Sequence, residues 1–140
     1  MPQPVLSKSI ASPSSVAHVI AQKYQFSMPL YRQEQEWKSI GIALSRATLA
    51  NWVIRAAEDW LMPLVDCMHA KLLQQPVIHA DETPVQVLNE KGRKNKTKSY
   101  MWVYTNGEFV RDGRQIRIYE YHPGRNGGFA GKFLEGYEGI

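Results

Sequence analysis

The spacing of apolar and polar positions changes period near Pro76. Before it, apolar residues recur at helical spacing. After it, short alternating runs separated by Gly and Asn turns predominate. Ser12-Pro13 reads as an N-cap followed by proline at the first helical position, where its missing N–H costs nothing. Val16, Val19, Ile20 and Tyr24 then share one helical face. A second helix is predicted over Leu30–Ser39, with a turn at Gly41. Ser45 caps a third, whose Leu49, Trp52, Val53, Ala56, Ala57, Trp60 and Leu61 form an unbroken i, i+3, i+4 stripe. Pro63 restarts the chain into a further helix through Leu64, Val65, Met68, Leu72 and Leu73, in which Cys67 reads as a small core residue.

From Val77 the pattern is that of strands. Val77–Leu88 reads as one, interrupted or bulged at Pro84. Asn89–Lys98 is a polar loop, and Ser99–Thr105, aromatic and β-branched, is a second strand. Asn106-Gly107 signals a turn, Gln115–Tyr121 alternates as a third strand, and Arg125–Gly128 is a loop. Phe129–Tyr137 predicts a short helix with Phe129, Phe133, Leu134 and Tyr137 inward, and Gly139-Ile140 is where another strand would start. The division is an extended arm over 1–11, a helical region over 12–75 and a sheet region over 76–140. The fold class is α+β. Three strands with one helix leave a sheet short of cover and of edge protection, so later strands are expected to be missing.

Length and composition narrow the classes. The 140 residues fit one domain of the usual ~100–200. With 44% hydrophobic and 21% charged residues the chain is globular rather than disordered. No apolar run approaches the ~20 residues a membrane span needs. The start, Met1-Pro2-Gln3-Pro4, lacks a secretory signal's basic and apolar segments. A single cysteine excludes an internal disulfide framework and a cysteine-based zinc cluster, and fits a reducing cytoplasm. The net charge of +4 is shared evenly: seven basic residues against five acidic before Val77, ten against eight from it onward. It is compatible with a nucleic-acid partner without requiring one.

Three groups of residues are candidates for chemistry. Asp81, inside an otherwise apolar strand, opposes strand propensity. Burial would cost several kcal/mol without a partner, and Mg²⁺ is one compensator, since it prefers carboxylate oxygen. A solvent-facing position on an edge strand is the other reading. Alternation puts His79 on the face of Asp81, either as a ligand or as a packed, hydrogen-bonded side chain, and turns Glu82 to the other face. The second group is Lys91, Arg93, Lys94, Lys96 and Lys98, a loop that attracts phosphates or simply forms a solvated hairpin tip. The third is Leu30–Ala57, which reads as a helix-turn-helix with Arg46, Thr48, Asn51 and Arg55 exposed, or as an ordinary capped helical hairpin. No Walker or dinucleotide glycine loop and no nucleophile elbow is present.

Taken in order, Pro29–Gln35 (PLYRQEQ), Leu44–Val53 (LSRATLANWV), His79–Pro84 (HADETP), Trp102-Val103-Tyr104 and Phe133–Gly139 (FLEGYEG) resemble the transposases of the insertion sequence 66 family, over roughly residues 5–140. The resemblance implies a DDE transposase with an RNase H-like core, in which three antiparallel strands and a helix precede a fourth strand. It implies that Asp81 is the first catalytic carboxylate and a ligand of Mg²⁺, with two metal ions acting at a phosphodiester. Lys91, Arg93, Lys94, Lys96, Lys98, Arg46, Asn51 and Arg55 become candidate DNA contacts. The partners implied are the element's ends, the target DNA and intact transposase. The place is the bacterial cytoplasm, on the nucleoid. The second and third acids are not found, because Glu135 and Glu138 precede the expected fourth strand. The expectation is therefore a transposase fragment, an incomplete RNase H-like sheet that is inactive alone. The alternatives are a small DNA-binding module regulating the intact enzyme, or a remnant that folds poorly.

Overall fold

The computed structural model describes residues 4–88, 90–107 and 113–139. Asn89 of the expected polar loop, and Ile140 of the expected fourth strand, lie outside them. Four helices and a π turn precede the sheet: α1 Pro13–Tyr24, α2 Leu30–Ser39, α3 Arg46–Ala56, the π turn Ala57–Leu61, and α4 Met62–Leu72. The strands are β1 His79–Gln86, β2 Lys98–Thr105 and β3 Arg117–His122, followed by α5 Gly127–Phe133. The chain forms two compact units, residues up to Leu64 and residues from Val65. The second unit thus takes in α4 from Val65 onward together with the sheet.

In the first unit both predicted caps form. Ser12 Oγ accepts from Ser15 N, and Ser45 Oγ accepts from Thr48 N, both at 3.1 Å. Val16, Val19, Leu49, Trp52 and Ala56 make the core, with Val53 and Trp37 packed against it. Residues 4–11 have neither helix nor strand, yet they are not a free arm. Leu6 and Ala11 are buried in the same core. Gln33 is also wholly buried, and its Nε2 donates to Val19 O and Met28 O, tying α2 to the middle of α1 and to the segment between the two helices.

The predicted stripe on the third helix breaks at the π turn. Leu49, Trp52 and Ala56 are buried, but Trp60 is 58% and Leu61 43% exposed. A π turn closes i→i+5 bonds and so holds one extra residue. That carries the stripe around by ~100°, one residue's rotation at 3.6 per turn. Trp60 consequently lies outside the core, with Nε1 donating to Val5 O at 3.1 Å. Cys67 is likewise exposed rather than a core residue. The side chains of α4 that meet the sheet's core are Val65, Met68 and Leu72. Cys67 falls one residue, ~100°, from that stripe.

The second unit is a three-stranded antiparallel sheet in the order β1-β2-β3. Pairing runs unbroken from His79↔Thr105 to Gln86↔Lys98, so Pro84 makes no bulge. Among the described residues β1 has a strand neighbour on one side only, which is where a strand proline is tolerated. Register fixes the faces. Tyr100, Trp102, Tyr104 and Ile118 pack with Leu72 of α4 and with Ala130 and Phe133 of α5. Tyr104 and Phe133 stack with ring centroids 3.6 Å apart. α5 is shorter than predicted. It starts from an Asn126 cap and ends at Phe133, with Leu134 closing the last turn and Gly136 at φ 82°. Phe129 stacks on His122, and Tyr137 donates to Pro76 O at 3.1 Å. No described helix is long and apolar enough to cross a membrane.

Candidate nucleic-acid interface

Within the sheet unit, α4 and α5 both pack on the one face, that of Trp102 and Tyr104, which leaves the opposite face open to them. Asp81 pairs with Val103, and Val103 with Tyr119, which puts the three in one row on this open face. Tyr119 is 64% exposed. Asp81 is exposed, and its Oδ1 accepts from Glu82 N at 2.9 Å. Of the two readings of a strand carboxylate, exposure on an edge strand is the one this geometry matches.

Glu82 faces the other way, as alternation requires. It pairs with Trp102 under the helix-covered face and accepts from Arg125 Nε. In the same row, Trp102 pairs with Glu120, whose Oε2 stands 2.8 Å from His122 Nε2, close enough for an ion pair though not aligned as a hydrogen bond. Tyr104 is fully buried and its hydroxyl has no hydrogen-bond partner among the described residues. Burial, with the Glu120 charge second, pushes its pKa up to about 12. His79 is exposed on the face of Asp81, its ring lying against the Gly107 turn. A Cβ at Gly107 would meet His79 Nε2 at 2.8 Å, and with φ at 59° the position suits glycine alone.

Asp81 alone does not make a divalent-metal site. Among the described residues no three His, Cys, Asp or Glu side chains gather where an ion would be held. Glu82 is turned away, and Glu135 and Glu138 are not on the strands. The residues present therefore do not fit a magnesium centre by themselves.

The basic loop is built of two tight turns, with Arg93 N donating to Glu90 O at 3.1 Å and Thr97 N to Lys94 O at 2.9 Å. Gln86 Nε2 fastens it to Asn95 O at 2.9 Å. Lys91, Lys94, Lys96 and Lys98 are exposed. Arg93 is not a free cation. Its guanidinium donates to Glu90, Ser99 Oγ and Lys98 O. Glu90 also accepts from Tyr121 and Ser99. The hydrogen bond from Tyr121, then that from Ser99 and the charge of Arg93, hold its carboxyl below its ordinary pKa, against an opposing push from desolvation.

In the first unit, α2 and α3 form the predicted hairpin, joined by residues 40–45. Arg46 and Asn51 are exposed, but Arg55 donates to Ser7 O at 2.8 Å and to Ser7 Oγ at 2.9 Å. Its charge is engaged in holding the segment before α1. No local pattern marks Tyr121 as a partner of Glu90 and Ser99, because it lies on a different strand, remote in the chain. Buried Asn106 receives Ile116 N and donates to Arg114 O, tying the end of β2 to the residues just before β3.

The comparisons with known proteins agree with the motifs. The family described as "Transposase IS66 family" matches residues 8–140, and the chain belongs to that family. Three proteins of Sinorhizobium fredii (strain NBRC 101917 / NGR234) are similar to it. With y4jD it is 38% identical over 66% of this chain and 18% of that protein. With y4qI it is 26% identical over 99% and 26% respectively, and with y4hP 30% over 95% and 24%. The chain thus spans about a fifth to a quarter of the length of these relatives. No solved structure matches it.

Proposed function

We propose that this chain is the part of an insertion-sequence transposase that presents the first acid of an RNase H-like DDE centre and contacts DNA beside it. Asp81 is that acid. The observation carrying the reading is that Asp81 lies exposed on the open face of an edge strand, in a sheet whose neighbouring hairpin loop bears three exposed lysines, with exposed Lys98 opening β2 beside them. Three antiparallel strands followed by a helix, the opening of the RNase H-like order, support it further. In this reading the remaining acids lie outside these 140 residues, in the additional length that the relatives carry. The chain alone then binds DNA without cleaving or joining it. The DNA is the element's ends and the target, met on the bacterial nucleoid.

Fluorescence anisotropy of the purified chain on labelled duplexes tests this, with magnesium present and the DNA afterwards resolved on a denaturing gel. The expected result is binding that weakens steeply with salt, by a slope of ~0.9 per phosphate contacted, and no cleaved or joined product. No binding even at low salt would refute the DNA contact. A magnesium-dependent product that disappears in Asp81→Ala would refute the incompleteness of the centre. Preference for element-end over scrambled duplex would favour a second role as regulator of the intact enzyme.

A further inference from the structure

Four side chains clasp the start of the basic loop. Glu90 and Arg93 flank one turn and pair at 3.0 Å. Tyr121 of β3 donates to Glu90 Oε1 at 2.5 Å, and Ser99 of β2 donates to Glu90 Oε2 at 2.9 Å. Arg93 donates to Ser99 Oγ at 2.7 Å. Ser99 is fully buried within this group.

Register decides which side the clasp is on. Tyr121 pairs with Met101, Met101 with Thr83, and Thr83 is two residues from Asp81 on the same strand. Residues two apart share a face. Ser99 is two residues from Met101, so both anchors of the clasp belong to the open face of Asp81. Two strand spacings of ~4.8 Å and a two-residue step of ~6.8 Å put Tyr121 ~12 Å from Asp81. That is three to four base-pair rises of ~3.4 Å.

We infer that Tyr121 and Glu90 are positioning residues for nucleic acid: their clasp draws the loop bearing Lys91, Lys94 and Lys96 onto the face of Asp81, so that a phosphodiester backbone gripped by the loop is led across that face. The inference rests on the DNA-contacting role proposed above. The physical advantage is preorganisation. A free loop has to lose backbone entropy on binding, whereas a clasped one has lost it on folding. The clasp also explains why a carboxylate stands among lysines that would meet phosphates. Its charge is turned inward onto Arg93, Ser99 and Tyr121.

The test compares Tyr121→Phe and Glu90→Gln with the parent chain, by anisotropy on one duplex over a salt series. It is run at a temperature where circular dichroism finds each folded, with amide exchange of residues 91–97 followed in parallel. Tyr121→Phe changes no charge. Glu90→Gln makes the loop more positive, so charge alone predicts tighter binding. The expected result is weaker binding in both, by about three- to tenfold, with faster loop exchange and a salt slope near the parent's. Lys94→Ala with Lys96→Ala should instead lower the slope, by up to ~0.9 for each phosphate that the loop no longer neutralises. Unchanged affinity in Tyr121→Phe together with unchanged or tighter binding in Glu90→Gln would overturn the inference, leaving the clasp a structural feature of the hairpin. If the parent itself binds no duplex, the DNA-contacting role fails and the inference with it. Should Tyr121→Phe fail to fold, Glu90→Gln still decides, because charge and clasp predict opposite signs for it.

Discussion

Asp81 and Glu82 are consecutive residues whose side chains lie on opposite faces of one strand. Asp81 joins Val103 and Tyr119 on the open side, while Glu82 joins Trp102 and Glu120 on the helix-covered side and holds Arg125. Their substitutions should therefore separate. Asp81→Asn should leave stability within ~0.5 kcal/mol, as for a surface change, whereas Glu82→Ala, which strands a partner of a mostly exposed Arg125, should cost up to ~1 kcal/mol. Urea melts of the two variants check this. A cost for Asp81→Asn above that for Glu82→Ala would contradict the assignment of faces.

Tyr104 predicts the alkaline limit of the sheet unit. Its folded pKa of about 12 lies above the ordinary 10. A raised value stabilises the fold below the unfolded pKa, and that contribution is lost as pH rises through the window from 10 to about 12. Tyr104→Phe, which removes a hydroxyl without a partner among the described residues, should hold stability at neutral pH and flatten the fall above pH 10. Thermal melts at pH 8 to 11 follow it. An equally steep fall in the variant would sink the explanation.

The clasp predicts an acid response of the opposite sign. Glu90 titrates below its ordinary 4.5, chiefly because Tyr121 donates to it. A lowered value gives a contribution present above the unfolded pKa and lost as pH falls through the folded one. Amides of residues 91–97 should thus stay protected at pH 6 and open below pH 4.5, ahead of those in β2. In Glu90→Gln that step should vanish.

Leu6 tests whether the first residues are part of the domain. Its side chain is fully buried among Leu49, Trp52 and Val19. Leu6→Ala should cost the first unit ~2–5 kcal/mol, a core value, where an appended arm would cost nothing measurable. Arg55→Ala, freeing Ser7, should cost less, about 1 kcal/mol. Denaturant melts read both.

What can be read in the chain alone is local. Ser12, Ser45 and the 3.6 period mark the helices, and α2 runs over Leu30–Ser39 as its pattern predicts. Alternation locates the strands and turns Asp81 and Glu82 apart. The failures concern partners remote in sequence. Leu6 reads as a linker because nothing beside it marks burial by residues more than forty positions on. Trp60 and Leu61 continue an ideal stripe that a π turn displaces. Pro84 reads as disruptive because its neighbourhood does not reveal that the strand lies at an edge. Of the loop's five basic residues, composition cannot single out Arg93 as the one turned inward onto Glu90 and Ser99.

One contact in the helical hairpin bears on how that hairpin meets an anion. Glu34 Oε1 accepts from Arg46 N at 2.8 Å, at the first residue of α3. The start of a helix is its positive end, where a phosphate would otherwise be welcome. Here a carboxylate from α2 already sits there. Holding the two helices together and keeping the helix start open to a ligand are thus competing demands on one spot. This chain resolves them at Arg46 N in favour of cohesion, which takes that backbone donor away from any phosphate.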